Sequence, residues 1–247
     1  MRLPGTIKLH RVVISTTIER CALGEVPVIL RRGDPWLPPE AVAELAAAVD
    51  AELAADGLLI GGRLREDFED ALVTAARPAE ALSGVVDHRQ LGAYQLHLAR
   101  LGRDAVLLDR TGNDVEIIPA EADRLARSFA QRLPAHFDGV GRSYAFPESE
   151  APWNARAGYT RDGRRARHDA RLAAELFTQP RTGGAQIHAT GAGGTGRHPL
   201  NILDLADLGR WSITKDGDPA EPHVTIAPVT GQQLAAQLDA LLRAVAG

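Results

Sequence analysis

Two segments of this chain carry the same pattern 109 residues apart, with Pro119 matching Pro228, and this limits the fold more than any other feature. Val115-Glu116-Ile117-Ile118-Pro119 leads into a helical stretch, and so does Val224-Thr225-Ile226-Ala227-Pro228. The register holds through both helices, because Leu125 aligns with Leu234 and Leu133 with Leu242. Upstream, Gly92-Ala93 and Gln95-Leu96-His97 echo Gly184-Ala185 and Gln186-Ile187-His188 with gaps. An ancient duplication accounts for this, giving two strand–strand–strand–helix halves at about 79–133 and 184–243 that share one sheet. The competing reading is that any strand–proline–helix unit resembles any other.

Hydrophobic periodicity fills in the elements. Alternation marks strands at Ala81 to Val86, Ala93 to Leu98, Ala105 to Asp109 and Val115 to Ile118, with a hairpin turn at Arg110-Thr111-Gly112-Asn113. Strands return at Ala185 to Ala189, Ile202 to Leu205, Arg210 to Thr214 and His223 to Ala227. Short turns between consecutive strands imply an antiparallel sheet.

Helical spacing predicts helices from Pro38 to Asp56 (stripe Val42, Leu45, Ala46, Val49 and Leu53), Leu64 to Ala76, Pro119 to Leu133, Arg165 to Phe177 and Gln232 to Val245. Thr6 to Leu9 reads as a short strand. His10 to Leu23 is ambiguous, since its apolar face suits a helix while its β-branched run resists one. The stretch from Pro134 to Pro147 reads as a polar loop. The whole, residues 1–247, reads as a single α+β domain.

Bulk properties exclude several functions. The net charge of −4 leaves no basic excess to neutralise a phosphate backbone, so nucleic acid is not an expected partner. The arginines at 161–167 read as a solvated local cluster. Cys21 is the only cysteine, which fits a reducing compartment. No signal-peptide-like start and no apolar run of about 20 residues is present, so a cytoplasmic protein is expected.

Tempting chemistry is absent. Gly191 to Gly196 spells G-x-G-x-x-G after a strand, but Arg197-His198-Pro199-Leu200 follows and opens no helix to meet a pyrophosphate. The expectation is a mobile hairpin loop without a cofactor. A small-molecule or nucleotide-binding enzyme built on that loop is the alternative. The eight histidines include no H-E-x-x-H or helical i, i+4 pair, so no metal site is expected. Glu66, Asp67, Glu69 and Asp70 read as acids at a helix start, where they suit the dipole.

The ordered set of features resembles the EspG family, chaperones of type VII (ESX) secretion, over nearly the whole chain. The pieces are Leu23 to Leu30, Ala75-Ala76-Arg77-Pro78, Gly141-Arg142-Ser143 leading to Pro147, and Gly183-Gly184-Ala185-Gln186-Ile187 before the basic glycine loop. The most telling is Asp204-Leu205-Ala206-Asp207-Leu208-Gly209-Arg210-Trp211, similar to the family's Asp-Thr…Gly-Arg-Tyr strand turn. Leu205 stands here in place of Thr and Trp211 in place of Tyr.

The resemblance implies a central antiparallel sheet with flanking helical bundles and quasi-two-fold symmetry. It also implies no enzymatic activity, but a cytosolic chaperone that grips the apolar tip of a secreted PE–PPE-like helical pair and keeps it soluble for export. A surface for such a client is expected on the strand Ala93 to Leu98. Tyr94, Leu96 and Leu98 share its packed face, leaving Gln95 and His97 outward near Arg89.

Overall fold

The computed structural model describes residues 3–31, 37–152, 164–192, 194–196, 198–218 and 220–246. Residues 161–163 of the arginine cluster and Gly193 of the glycine loop lie outside these.

Strand β1 (Ile7–His10) runs straight into helix α1 (Arg11–Arg20). The β-branched run is therefore helical after all. Burial overrides propensity here, because Val13, Ile14 and Ile18 are at most 3% exposed. Thr17 Oγ1 donates back to the Val13 carbonyl at 2.7 Å, and His10 Nδ1 caps the start by accepting from Val12 N–H. A single 3-10 turn spans Val28–Leu30.

Helix α2 (Pro39–Ala55) opens with proline where the missing N–H does no harm. Only Val49 and Leu53 of its stripe are buried, and Val42 is 52% exposed, because the first half of α2 overhangs the core. A two-stranded ribbon, β2 (Leu59–Ile60) and β3 (Arg63–Leu64), leads to α3 (Glu66–Ala76). Acids crowd the first turn of α3, and Asp67 is held below the usual carboxylate range by a hydrogen bond from Arg65.

A meander follows, of β4 (Glu80–His88), β5 (Gly92–Leu101), β6 (Asp104–Thr111) and β7 (Asp114–Pro119). Helix α4 (Leu125–Ala130) is shorter than its leucine spacing predicts. Residues 131–133 tighten into a turn whose N–H groups reach back to Arg127, Phe129 and Ala130, since Pro134 forbids continuation.

The next segment is not wholly loop, because β8 (Tyr144–Pro147) adds to a sheet edge. Then come α5 (Arg164–Leu176), β9 (Arg181–Gly191), β10 (Gly194–Thr195), β11 (Leu200–Leu205), β12 (Gly209–Asp216) and β13 (His223–Pro228). The last helix, α6 (Gly231–Val245), starts with a capping box in which Thr230 Oγ1 accepts from Gln233 N–H and Gln233 Oε1 accepts from Thr230 N–H.

Among the described residues, eleven strands form one antiparallel sheet, with β10 folding back on β9. Its order is β1-β7-β6-β5-β4-β9-β11-β12-β13-β8. On one face, Leu82, Leu96, Leu98, Ile187 and Ile202 pack under α4 and α6. A Cβ on Gly84 would stand 2.9 Å from the Phe129 ring, so the bare glycine lets α4 settle on the sheet.

The opposite face carries two separate apolar clusters. One joins Ala99, Val106, Leu108, Val115 and Ile117 to α1, α2 and α3. The other joins Leu203, Trp211, Val224 and Ile226 to α5. Between these two helical layers, no helix of the described residues packs over the middle of the sheet.

Candidate protein-binding surface

Cross-strand register builds a row over this uncovered middle. Gln95 of β5 pairs with Val85 of β4, Val85 with Gln186 of β9, Gln186 with Asn201 of β11, and Asn201 with Ile213 of β12. All five side chains share one face, because they stand in direct register. Val85 is 49% exposed, an unusual state for a valine in a central strand. Gln186 Nε2 donates to Asn201 Oδ1 at 3.1 Å, leaving polar capacity of both amides open. Arg110 closes the row on one side, with its guanidinium donating to Gln95 Oε1 and to the Ile29 carbonyl of the 3-10 turn.

The three residues singled out in the sequence fall in different places. Gln95 is half-buried and belongs to the row. Arg89 is exposed at the tip of the β4–β5 hairpin, where its backbone N–H donates to the Thr182 carbonyl. His97 does not face outward. It is 5% exposed, because the end of α3 covers that part of the strand. Its Nε2 lies 3.1 Å from the Ala75 carbonyl and its Nδ1 2.8 Å from Ser83 Oγ. Burial pulls its pKa down to about 4, against the partial support of the Ala75 bond. Val85, Gln186 and Asn201 were not foreseen; the alternation of each strand held the signal, but their convergence needs the register between strands.

Beside the row, a cleft of about 620 Å³ opens between the segment 25–31, the end of α3 and the β9–β10 hairpin. Its floor is polar, made by Ser83, His188 and Thr190, and part of its wall is apolar, from Val26, Pro27 and Pro78. The glycine loop forms the hairpin wall. Thr195 pairs with Thr190, and Gly196 N–H donates to the Ala189 carbonyl at 2.7 Å.

A Cβ on Gly191 would stand 2.5 Å from the Val245 carbonyl, so this glycine admits the end of α6. The described residues on either side of Gly193 thus pair as the expected hairpin, and Gly191 packs on the end of α6. The chain goes on to β11, and among the described residues no helix begins at this loop. Among the described residues, no cluster of His, Cys, Asp and Glu could hold a metal ion, and no helix is long and apolar enough to cross a membrane.

A family model described as the EspG family matches residues 14–240. This chain belongs to the EspG family. Among solved structures, the fold of this family member is similar to that of the Mycobacterium tuberculosis type VII secretion system chaperone EspG5, determined in complex with the PE25–PPE41 dimer. The TM-score is 0.69 at 15% sequence identity, covering 97% of this chain and 96% of that one. No curated protein matches the sequence. The Asp204 to Trp211 segment that carried the family resemblance forms the end of β11, its turn and the start of β12.

Proposed function

We propose that this EspG family member is a cytosolic chaperone of type VII secretion that binds a PE–PPE-like helical pair and holds it soluble for export. Family membership over residues 14–240 carries this reading. The structural relative EspG5 is described as a chaperone in complex with a PE25–PPE41 dimer, and the two chains share their fold over nearly their whole lengths.

The trough between the two helical layers suits such a client. Val85 offers an exposed apolar contact to the tip of a helical pair, and the amides of Gln95, Gln186 and Asn201 around it offer hydrogen bonds to the polar groups beside that tip. A stable interface needs roughly 800 Å² per partner, so the flanking layers would have to contribute beside the row. Acting by binding rather than by catalysis fits the same surface.

Co-expression with the PE–PPE pair encoded nearest its gene tests the reading. Light scattering of the purified species should give one chaperone per pair. A chain that elutes alone from every such pair, while remaining folded, removes the proposal.

A further inference from the structure

The floor of the cleft has a hydrogen-bond direction that follows from its neighbours. The Ala75 carbonyl can only accept, so Nε2 of His97 carries the proton between them. The buried ring is neutral at physiological pH, which leaves Nδ1 bare and accepting. Ser83 Oγ, 2.8 Å from Nδ1, therefore donates its single proton inward. What Ser83 keeps for the cleft is lone pairs alone, and among the described residues no second group bonds to them.

A half-buried oxygen that can only accept selects for a donor. The walls restrict the choice further. Val26, Pro27 and Pro78 offer apolar contact, which suits a flat ring better than an amide or a hydroxyl on a short stem. Glu25 also lines the cleft, but its carboxylate is already paired with Arg31, and the Arg77 guanidinium is turned to the Ala22 carbonyl, so no bare carboxylate is left there to draw in an ammonium or a second guanidinium. A carboxylate offers Ser83 nothing but more lone pairs.

We propose that this cleft receives a tyrosine side chain of the bound polypeptide, with the ring against Pro27 and Pro78 and the phenol hydroxyl donating to Ser83 Oγ. That the tyrosine comes from a secretion client rests on the function proposed above; the recognition of a phenol does not.

The test uses the full chain, carbon-13 labelled at histidine, and three small probes followed by NMR. N-acetyltyrosinamide should shift the His97 and His188 ring resonances saturably. It should bind at least about tenfold more tightly than N-acetylphenylalaninamide, roughly the worth of one good hydrogen bond. The O-methyl ether of the tyrosine probe keeps the ring and the oxygen but loses the proton, and should bind no better than the phenylalanine probe. In Ser83→Ala, the tyrosine preference should vanish. Equal affinity of the three probes, a preference that survives Ser83→Ala, or no saturable shift at either histidine up to the solubility limit would overturn the proposal. The ether comparison needs no mutation, so it decides the matter even if Ser83→Ala does not fold. A chain that captures no helical pair yet discriminates tyrosine from its ether would lose the proposed function and keep the pocket.

Discussion

Asp204 and Arg210 face each other across the β11–β12 hairpin and close a bidentate ion pair, Nε to Oδ1 at 2.7 Å and Nη2 to Oδ2 at 2.8 Å. Their side chains are only 3% and 9% exposed. The same Nη2 donates to the Pro134 carbonyl at 2.7 Å, so the pair also ties down the segment leaving α4. Arg210→Ala would leave a buried carboxylate without its cation, and a loss of roughly 3–5 kcal/mol is expected. Urea denaturation should show it. Asp204→Leu combined with Arg210→Met should recover part of that loss, because no charge is then left buried alone. A single mutant as stable as the wild type would mean the pair is not closed in solution.

His97 gives stability a pH dependence. Its pKa falls from 6.5 to about 4 on folding, so the unfolded chain binds the extra proton first. The contribution is complete above pH 6.5 and is lost as pH falls from 6.5 towards 4. The difference amounts to something on the order of 3 kcal/mol. Melting temperature against pH should fall less steeply across this window in His97→Gln than in the wild type. Equal slopes would count against a neutral, buried ring.

Gly209 sits at φ +74°, and a Cβ there would stand 2.3 Å from the Asp138 carbonyl oxygen, a backbone atom. Neither the conformation nor the contact tolerates a side chain. Gly209→Ala should cost about 1–3 kcal/mol from strain and displacement together. Gly112→Ala is the comparison, since its φ of +61° is similar but nothing lies within 4 Å. A denaturation midpoint lowered equally in both would assign the whole effect to backbone conformation.

Much of the fold was legible because strands and helices here differ sharply in period. The alternation from Ala81 to Ile118 and from Ala185 to Ala227 marked eight strands of the sheet, and Pro119 and Pro228 marked where helical segments begin. What escaped depended on long-range contacts. The β-branched Val12 to Ile18 run became helical only because the core takes Val13, Ile14 and Ile18. Tyr144 to Pro147 became a strand because β13 offers it an open edge. His97 was assigned to the surface since alternation tells which face a residue lies on, but not that α3 covers that face there.

The strand order offers a sharper test of the repeat. It runs β1-β7-β6-β5-β4 to one side of the β4–β9 junction and β8-β13-β12-β11-β9 to the other, so each meander is flanked by an edge strand that pairs with its last member. We propose that the two halves arose by duplication. Residues 79–133 and 184–243 should then superpose by a rotation near 180°, with β4 on β9 and β5 on β11, Val115 falling on Val224 and Phe129 on Leu238; the likeness of Gly92–His97 to Gly184–His188 is then no part of the repeat, because it sets β5 against β9. An experimental structure in which these segments occupy unrelated positions would remove the duplication.

The client surface is best tested where the sheet is open. Reversing Arg89 together with His97→Glu would confuse binding with folding, because the new carboxylate at 97 would lie beneath α3. Val85→Glu with Gln186→Glu avoids this, since Val85 is 49% exposed and Gln186 is exposed beside it. Each single change should alter stability by about 0.5 kcal/mol or less, and the double mutant by up to about 1 kcal/mol more, because the two carboxylates stand in direct register across β4 and β9. Two carboxylates at the centre of a closed contact would each lose water without gaining a cation, so client affinity should fall by a factor of about ten or more. Arg89→Glu alone, at the hairpin tip, should change affinity much less, as a charge at the rim of an interface does. Calorimetry on the purified client pair separates the outcomes. If affinity survives the double mutant, the trough is not the binding surface, and if Arg89→Glu alone abolishes it, the β4–β5 hairpin tip is.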